Sequence, residues 1–323
     1  MNRLSRTWVS LTGIAIAVLV VLVVASLPLI FLSMQRDLTG ENDAARYNLA
    51  TGEPVDNPNA VLTGTDPANI TILLEGLDES TQQVRLMVVG RRYCAPPCDP
   101  LSMVLYALPA PGDTLTIPSS VPITLPVDDQ PFDVTVNLPV RGRPQAFPID
   151  HYQLLLGVSV RFTNADGLTL PLTSDQLAQR GIVILSEEVI PRFVVTARPP
   201  VDTLSVREDL GDLGISFLSS ITFRRPIYLR LESALLVLLF AMAGIISVLR
   251  QDIDELLIGV GSLILGMWGI RAILVQTNYG GITLIDVFFS LFAILILLGC
   301  LVRIALQMRA KRRTDPNTSA SAP

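Results

Sequence analysis

Three long apolar runs in the C-terminal part of the chain constrain its fold more than any other feature. They cover residues 229–249, 256–275 and 282–302, and short polar turns separate them. Each run has about 20 residues, the length that a helix needs to cross roughly 30 Å of hydrocarbon. A helix on the core of a soluble protein is apolar on one face, whereas these runs are apolar all round. The sequence therefore predicts a bundle of three transmembrane helices over residues 228–303.

A fourth apolar run lies near the N-terminus, at residues 8–32, and follows Arg3 and Arg6. A cleaved secretory signal peptide is an alternative, because residues 23–25 would suit a signal peptidase. The apolar part of a signal peptide spans about 7–15 residues, and this run is longer. We therefore expect an uncleaved transmembrane anchor over residues 1–34. In either case, the residues that follow are delivered across the membrane.

The composition agrees with a membrane protein and excludes one class of partner. Half of the 323 residues are hydrophobic, and only 16% are charged. The net charge is −5, and the long basic face with interleaved aromatic residues that binds nucleic acid is not present. We therefore expect the lipid bilayer, and no nucleic acid, among the partners of this chain.

The distribution of basic residues predicts the orientation of the four spans. Loops on the cytoplasmic side of a membrane carry an excess of Lys and Arg. Two arginines precede the first span, and five basic residues follow the last. These five residues are Arg303, Arg309, Lys311, Arg312 and Arg313. We therefore expect a plasma-membrane protein with both termini in the cytoplasm, residues 35–227 outside it, and a basic, disordered cytoplasmic tail at residues 304–323.

The segment between the first and second spans predicts a domain rich in β-strands. Residues 35–67 are polar, contain turn-forming pairs, and resemble an extended linker. Short runs rich in Val, Ile, Leu and Thr follow, and helical periodicity is hard to find among them. These runs are residues 70–74, 84–89, 103–108, 134–138, 152–162, 181–185, 192–197 and 215–223. The pattern is typical of an antiparallel β-sandwich, which we expect over residues 68–227.

Two cysteines in this domain predict a local disulfide. Cys94 and Cys98 are separated by three residues, two of them proline, and would lie where thiols oxidise. A thioredoxin-like redox motif has two intervening residues, and a structural zinc site needs more ligands than the one histidine, His151, supplies. We therefore expect a disulfide that stiffens a hairpin tip, with no metal and no cofactor. Cys300 lies in the last span and is expected to be a packing residue.

Two opposite charges within the C-terminal spans are expected to pair. Arg271 lies near the end of the third span, and Asp286 lies near the start of the fourth. Each is five residues from the near edge of the turn at 276–281, so both are expected at a similar depth. An unpaired charge in lipid is unfavourable by at least about 2.5 kcal/mol. We expect a structural intramembrane ion pair, with an ion path as the alternative.

The third span carries a face of small and polar residues. These residues recur at steps of four, three, four and three, so they share one side of a helix. They are Glu255, Gly259, Ser262, Gly266 and Gly269. Small residues at this spacing allow close helix packing, and that is our first interpretation. A pore-lining face in a homo-oligomer is the alternative.

Two short segments at the ends of the β-domain are expected to face the membrane surface. The first segment contains Phe147, Pro148, Asp150 and Tyr152, and the second contains Arg224, Arg225 and Pro226. The first is expected to be a turn in which Pro148 restricts φ and Asp150 accepts backbone hydrogen bonds. The arginines of the second could bind lipid phosphates or a turn carboxylate such as Asp150. The two segments are therefore candidates for coupling the domain to the membrane.

The order of these motifs resembles that of pentameric ligand-gated ion channels. Those channels place an aromatic-Pro-x-Asp loop in an extracellular β-sandwich and a basic stretch before the first membrane helix. The matching pieces here are residues 147–150, 224–228, 254–255 and 273–278. This resemblance implies an oligomer in which the span at 256–275 lines a pore. The chain more closely resembles uncharacterised bacterial membrane proteins with one N-terminal span, an extracytoplasmic aromatic-Pro-x-Asp-x-Tyr domain and three C-terminal spans, a likeness that implies no known activity.

Three functional hypotheses follow from these features. The first is a non-enzymatic integral membrane protein whose extracytoplasmic β-domain binds an unknown ligand or protein and is coupled to the bundle. The second is an oligomer that resembles a ligand-gated channel, and the third is an enzyme at the membrane surface. We expect no enzyme, because the sequence contains no Gly-rich phosphate loop, no metal-ligand motif and no evident nucleophile with its base.

Overall fold

The computed structural model describes most of the chain after residue 45. It covers residues 46–55, 64–94, 98–109, 118–127, 129–164, 166–188, 190, 193–197, 213–249, 253–275 and 281–314, with a few residues between 21 and 35. The predicted anchor at 1–34 therefore lies almost wholly outside the described residues. The chain forms two compact units: a helical unit of Met1–Gln35, Gln145–Pro148 and Ile227–Pro323, and a β unit of Arg36–Pro144 and Ile149–Pro226.

The β unit is rich in strands, which form two sheets. The strands are β1 (Arg46–Asn48), β2 (Ala68–Asp78), β3 (Gln83–Arg92), β4 (Leu101–Leu108), β5 (Ser119–Thr124), β6 (Phe132–Pro139), β7 (Arg141–Gly142), β8 (His151–Thr163), β9 (Thr169–Pro171), β10 (Ile182–Glu188), β11 (Val194–Ala197) and β12 (Phe217–Arg224). One sheet has the order β1-β10-β2-β3-β6. The other has the order β11-β12-β8-β4-β5, and β7 and β9 also pair with β8.

Alternating apolar residues place both sheets on one hydrophobic core. Successive side chains of a strand point to opposite faces, so every second residue of an amphipathic strand is buried. Ile70 and Leu86 come from the first sheet, Leu105 and Leu154 come from the second, and all four belong to the same buried cluster. The expected β-rich domain of two sheets is therefore confirmed.

The first sheet is mixed, so the expectation of a purely antiparallel architecture is wrong. Strand β10 pairs with β2 in parallel, with Ile182 opposite Ala68. Every other pair between the described strands is antiparallel. Alternation in a sequence shows which face of a strand is buried, but it carries no information on the direction of the neighbouring strand.

The expected linker at residues 35–67 contains ordered structure. Strand β1 adds to the edge of the first sheet, where Arg46 Nε donates a hydrogen bond of 2.7 Å to Oε2 of Glu187. Gly64 lies directly against the backbone of Arg180 and Gly181, so a side chain at this position would collide with it. The described parts of the linker are therefore part of the β unit.

A short helix within the β unit was not predicted. Helix α1 (Ser174–Arg180) begins after Thr173, whose side chain accepts from the backbone N–H of Gln176, while Gln176 Oε1 accepts from the backbone N–H of Thr173. It ends at Gly181, which has φ 80°. Seven residues are too few to show helical periodicity. The capping box and the glycine that ends the helix were nevertheless readable in the sequence.

The described part of the helical unit contains three long helices. They are α2 (Ile227–Leu249), α3 (Ile253–Leu274) and α4 (Leu284–Thr314). The segments Ile227–Ile246 and Leu284–Arg309 are long and apolar enough to cross a membrane, whereas the apolar part of α3 is the shorter segment Leu256–Ala272. Two candidate membrane spans are therefore present among the described residues.

Helix α4 extends further than we expected from the sequence. It continues past Arg303 to Thr314, so the tail predicted to be disordered from residue 304 is helical in its first part. The basic residues of this region belong to the last turns of the helix, where cations interact favourably with the carbonyl end of the helix dipole. Residues 315–323 lie outside the described part of the chain.

Close packing of α2 on α4 depends on a glycine. A Cβ added at Gly244 would lie 2.6 Å from Cδ1 of Ile296, so α2 approaches this side chain only because the residue has none. Nearby, the rings of Phe240 and Phe289 meet edge to face with their centroids 5.6 Å apart. Glycines at helix contacts of this kind are common in membrane proteins.

Candidate functional site

A buried charged cluster in the β unit is centred on Arg225, the residue that follows β12. Its Nε donates to both carboxylate oxygens of Asp150 at 3.1 Å, and its Nη2 lies 2.5 Å from Oε1 of Glu79. The side chain of Arg225 is only 4% exposed, and that of Asp150 is fully buried. We call these three residues the Arg225 cluster. Because the pairs are buried, removing one charged side chain would leave its partner as an uncompensated buried charge.

Two aromatic side chains enclose this cluster. The guanidinium carbon of Arg225 lies 4.2 Å from the ring centroid of Phe193, which is a close cation–π contact. Phe193 in turn meets Tyr152 edge to face at 5.8 Å. The Arg225 cluster is therefore shielded from solvent by aromatic rings as well as by its position in the fold.

The electrostatics of the site favour the protonated forms of Tyr152 and Arg225. Burial raises the pKa of Tyr152, and the negative charges of Glu79 and Asp150 raise it further, so the phenol stays protonated. Burial lowers the pKa of Arg225, but the hydrogen bond and charge of Asp150, with those of Glu79, outweigh it, and the net pKa is raised. Arg225 therefore stays charged. A guanidinium group that stays charged beside two buried carboxylates is suited to holding chain segments together.

The Arg225 cluster joins three separate segments of the β unit. Glu79 lies in the turn between β2 and β3, Asp150 lies immediately before β8, and Arg225 follows the end of β12. Of the two arginines proposed from the sequence, Arg225 binds the turn carboxylate, whereas Arg224 is exposed and pairs through its backbone with His151. The sequence does not predict that Glu79 and Phe193 belong to this site. A carboxylate in a polar turn, such as that of Glu79, gives no sequence signal of burial.

The segment before Asp150 belongs to the helical unit. Phe147 precedes a cis peptide bond to Pro148 and lies in a buried cluster with Met267, Ile285 and Phe289. Only one residue, Ile149, separates Pro148 from Asp150. The predicted turn therefore contributes one aromatic side chain to the helical unit and two side chains, those of Asp150 and Tyr152, to the β unit. Pro226, which follows Arg225, is buried.

Arg271 and Asp286 form an ion pair within the helical unit. Nε of Arg271 donates to Oδ1 of Asp286 at 2.5 Å, and Nη2 donates to Oδ2 at 3.3 Å. Asp286 has a second role, because its Oδ2 accepts 2.8 Å hydrogen bonds from the backbone N–H and the hydroxyl of Thr283. Thr283 immediately precedes α4, so this carboxylate also caps the helix.

We predict that Arg271→Ala and Asp286→Ala both reduce the yield of folded protein from membranes. Each substitution leaves one charge unpaired, which disfavours insertion by about 2.5–3.5 kcal/mol at the centre of a membrane helix and by less near its ends. Asp286→Asn retains an acceptor for Thr283, so its yield should fall between those of Asp286→Ala and the wild type. Size-exclusion chromatography of the solubilised variants measures these yields. Wild-type yields from both alanine variants would contradict the pairing.

The small-residue face of α3 is only partly covered within one chain. Ser262 and Gly269 are exposed, Gly259 and Gly266 are partly covered, and a Cβ at Gly266 would lie 3.6 Å from the ring of Phe240. The side chain of Glu255 lies outside the described residues. The fully buried positions of α3 are instead Leu256, Val260 and Met267.

The β unit also contains a cavity that the sequence did not reveal. It has a volume of about 510 Å³. Its walls come from four separate stretches of chain: Thr65, Asp66, Cys94, Asp99, Phe162, Leu172, Gln176, Gln179 and Arg180. Cys94 and Cys98 lie at disulfide-bonding distance with their Cα atoms 6.0 Å apart, and one member of this pair lines the cavity. No spacing pattern marks such a site, because its residues are distant in sequence.

Metal ligands are not clustered in the described part of the chain. No group of three or more His, Cys, Asp or Glu side chains there could hold a metal ion. The charged side chains of the Arg225 cluster are engaged with one another, as are those of Arg271 and Asp286, and Cys300 is buried in a helix contact with Leu256, Val260 and Ile296. No protein-family model and no curated protein sequence matches this chain.

Proposed function

We propose that this chain is a non-enzymatic integral protein of the plasma membrane whose β-rich domain lies outside the cytoplasm, binds a ligand or a protein partner, and is coupled to the membrane helices. The observation that carries this proposal is the Arg225 cluster. It ties two segments of the β unit, at Glu79 and Asp150, to Arg225, the last residue but one before α2.

The coupling follows from covalent connection and from the strength of the cluster. Arg225 is joined to α2 through Pro226 alone, and the ring of a proline restricts φ. A movement of Glu79 or Asp150 must either displace Arg225 or break a buried ion pair, which is unfavourable by about 3–5 kcal/mol. A shift of the β2–β3 turn on binding is therefore passed to the start of α2.

Two features support the proposed location of the β unit. A disulfide between Cys94 and Cys98 persists in oxidising surroundings, outside the cytoplasm. The basic residues in the last turns of α4 are typical of a cytoplasmic helix end. Together they support a topology with both termini in the cytoplasm and residues 35–227 outside it. Four spans give this arrangement, and the first and third of them are part of the proposal.

Labelling of introduced cysteines in intact cells tests this topology. In a Cys300→Ala background, we expect a membrane-impermeant maleimide to label Asp166→Cys, which is in an exposed turn of the β unit, without detergent. Ser321→Cys, in the proposed cytoplasmic tail, should react only after the cells are permeabilised. The reverse pattern would overturn the orientation and the functional proposal with it. Equal labelling of both positions before permeabilisation would show that the C-terminus lies outside.

The uncovered face of α3 favours one second candidate, an oligomer that resembles a ligand-gated channel. Ser262 and Gly269 are exposed in a single chain and could meet other copies or line water. Light scattering in mild detergent distinguishes a monomer from a ring, and cysteine scanning over residues 259–269 finds positions that water reaches. A monomer whose α3 face does not react with polar thiol reagents would exclude the channel.

A further inference from the structure

The cavity of the β unit has one wall of polar residues from helix α1. Counted from Gln176, the residues Gln179 and Arg180 are three and four positions later, so all three lie on the same side of the helix. All three line the cavity. The helix is held in place by its capping box and by the backbone N–H of Asp66, which donates to the carbonyl of Arg180 at 3.0 Å. A defined helix therefore presents two amides and one guanidinium group to the same space.

Arg180 is oriented in a way that leaves its donors available. Its guanidinium carbon lies 4.9 Å from the ring centroid of Phe162, which also lines the cavity. Its Nη1 is 3.9 Å from Oδ2 of Asp66, beyond hydrogen-bond distance. Among the residues that the structure describes, the Arg180 side chain forms no hydrogen bond. It is 25% exposed, so the stacked guanidinium is both positioned and accessible.

The neighbouring carboxylate does not compete for Arg180, because it is already satisfied. Asp66 accepts from Nε and Nη2 of Arg92, both at 2.7 Å, and Arg92 is 1% exposed. Nη2 of Arg92 also donates to the backbone carbonyl of Asp99 at 2.7 Å. The buried pair has no net charge, so Arg180 is the cation that remains available at this wall.

We propose that this cavity binds a small molecule with one carboxylate group and several hydroxyl or amide groups, and that Arg180 pairs with the carboxylate. A guanidinium group matches a carboxylate with two parallel hydrogen bonds. Gln176, Gln179 and Thr65 offer neutral donors and acceptors, and Leu172 with Phe162 offers an apolar side. The exposed carboxylate of Asp99, which also lines the cavity, disfavours a ligand with more than one negative charge.

The size of the cavity agrees with a ligand of this kind. Binding sites for small molecules have volumes of about 300–1,000 Å³ and combine apolar walls with a few convergent polar groups. This cavity has a suitable volume of about 510 Å³, and its lining is mainly polar, which favours a ligand with several polar groups. The inference rests on the proposed function, since it names the ligand class of the extracytoplasmic domain.

The test uses the full chain in mild detergent and three acids with their neutral counterparts. The acids are glucuronate, quinate and N-acetylglutamine, each with one carboxylate, and the counterparts are their neutral primary amides. We expect at least one acid to bind by equilibrium dialysis and its amide to bind about ten- to a hundredfold more weakly, as the loss of a charge-assisted hydrogen bond implies. No binding by any acid, or equal binding by acid and amide, would overturn the proposal.

Two variants test whether Arg180 is the residue that binds the carboxylate of the ligand. Arg180→Lys keeps the charge but loses the planar pair, and Arg180→Ala loses both, so affinity should fall in that order. The matched control is Arg85→Ala, which removes an exposed arginine on β3 outside the cavity and should bind as the wild type does. An acid that binds Arg180→Ala with wild-type affinity would contradict the assignment.

A chemical measurement keeps the test decisive if the Arg180 variants do not fold. Phenylglyoxal modifies accessible arginines, and a bound acid should protect Arg180 but not Arg85 of the wild-type protein, as read by peptide mass spectrometry. If a bound acid does not protect Arg180 from phenylglyoxal, the proposed ligand class is wrong. If no acid binds while the cysteine labelling follows the expected topology, only the cavity inference fails. If that labelling is reversed, the proposed function itself fails.

Discussion

Arg225→Ala is expected to destabilise the β unit by about 3–5 kcal/mol. The substitution removes the guanidinium group that lies between Glu79 and Asp150 and leaves both carboxylates buried without their cation. It also opens the space beside Phe193, whose ring the guanidinium covers. Pulse proteolysis of the full chain in a urea series, read on fragments of the β unit, measures the loss as a lower midpoint.

Arg224→Ala is the matched control for this experiment. It removes an arginine from the adjacent position, where the side chain is exposed, and most exposed substitutions change stability by less than about 0.5 kcal/mol. If the two variants have the same midpoint, the Arg225 cluster does not stabilise the domain, and the coupling proposed for it loses its basis. Glu79→Gln should produce a smaller loss than Arg225→Ala, because it leaves Asp150 paired.

The stability measurement also distinguishes a role of the Arg225 cluster within the β unit from a role in membrane insertion. A variant that is destabilised but still labelled with the expected topology shows that the cluster acts within the β unit and not in membrane insertion. The Arg271 and Asp286 variants should behave in the opposite way, with reduced insertion and an unaffected β unit in the fraction that folds. The two sets of charges therefore have distinguishable effects although both are ion pairs between arginine and a carboxylate.

The strands were predictable where one face is buried. The run at 152–162 alternates apolar and polar residues at its end, from Val158 to Phe162, and β8 (His151–Thr163) is the strand that it predicts. Strand β9 (Thr169–Pro171) was missed because all three of its residues are exposed, so no alternation marks it. Directions and partners of strands are set by contacts between distant segments, which is why the parallel pair of β2 and β10 could not be predicted from either strand.

The candidate sites were predictable only in part, for a related reason. Asp150 and Arg225 stand in short segments of unusual composition, and their pairing was one of two alternatives for the arginine. Glu79 completes the cluster from a turn that is indistinguishable by sequence from a solvated one. The cavity has no sequence signature at all, because Thr65, Phe162 and Arg180 meet only after two strands and a helix have packed. Local patterns identify elements, whereas sites of this kind depend on tertiary contacts.

Arg92→Ala is the second substitution expected to have a large effect. Arg91 and Arg92 are neighbours on β3, so their side chains point to opposite faces of the sheet. Both form paired hydrogen bonds with an aspartate: Arg91 with Asp129 at 2.7 and 3.1 Å, and Arg92 with Asp66 at 2.7 and 2.7 Å. The geometry of the two pairs is therefore similar, and they differ mainly in exposure.

That difference determines the expected results. Arg92→Ala removes both hydrogen bonds to the buried carboxylate of Asp66, which keeps only the longer 3.9 Å contact with Arg180, and should reduce the free energy of unfolding by about 3–5 kcal/mol. Arg91→Ala breaks a pair that is about half exposed on both sides, and water replaces the lost contact, so we expect little change. Urea unfolding followed by pulse proteolysis compares the two variants directly. Equal losses would show that burial does not set the strength of these pairs.

The double variant Asp66→Asn with Arg92→Met extends this comparison. Replacing both members of a buried ion pair by neutral groups of similar size is often nearly neutral for stability, whereas removing one member is not. We therefore expect the double variant to be more stable than Arg92→Ala. Because the Asp66–Arg92 pair carries no net charge, replacing both members should leave the affinity of Arg180 for a carboxylate ligand close to that of the wild type. A double variant as unstable as Arg92→Ala would show that the hydrogen bond from Arg92 to the carbonyl of Asp99, and not the pairing of charges, holds this wall of the cavity.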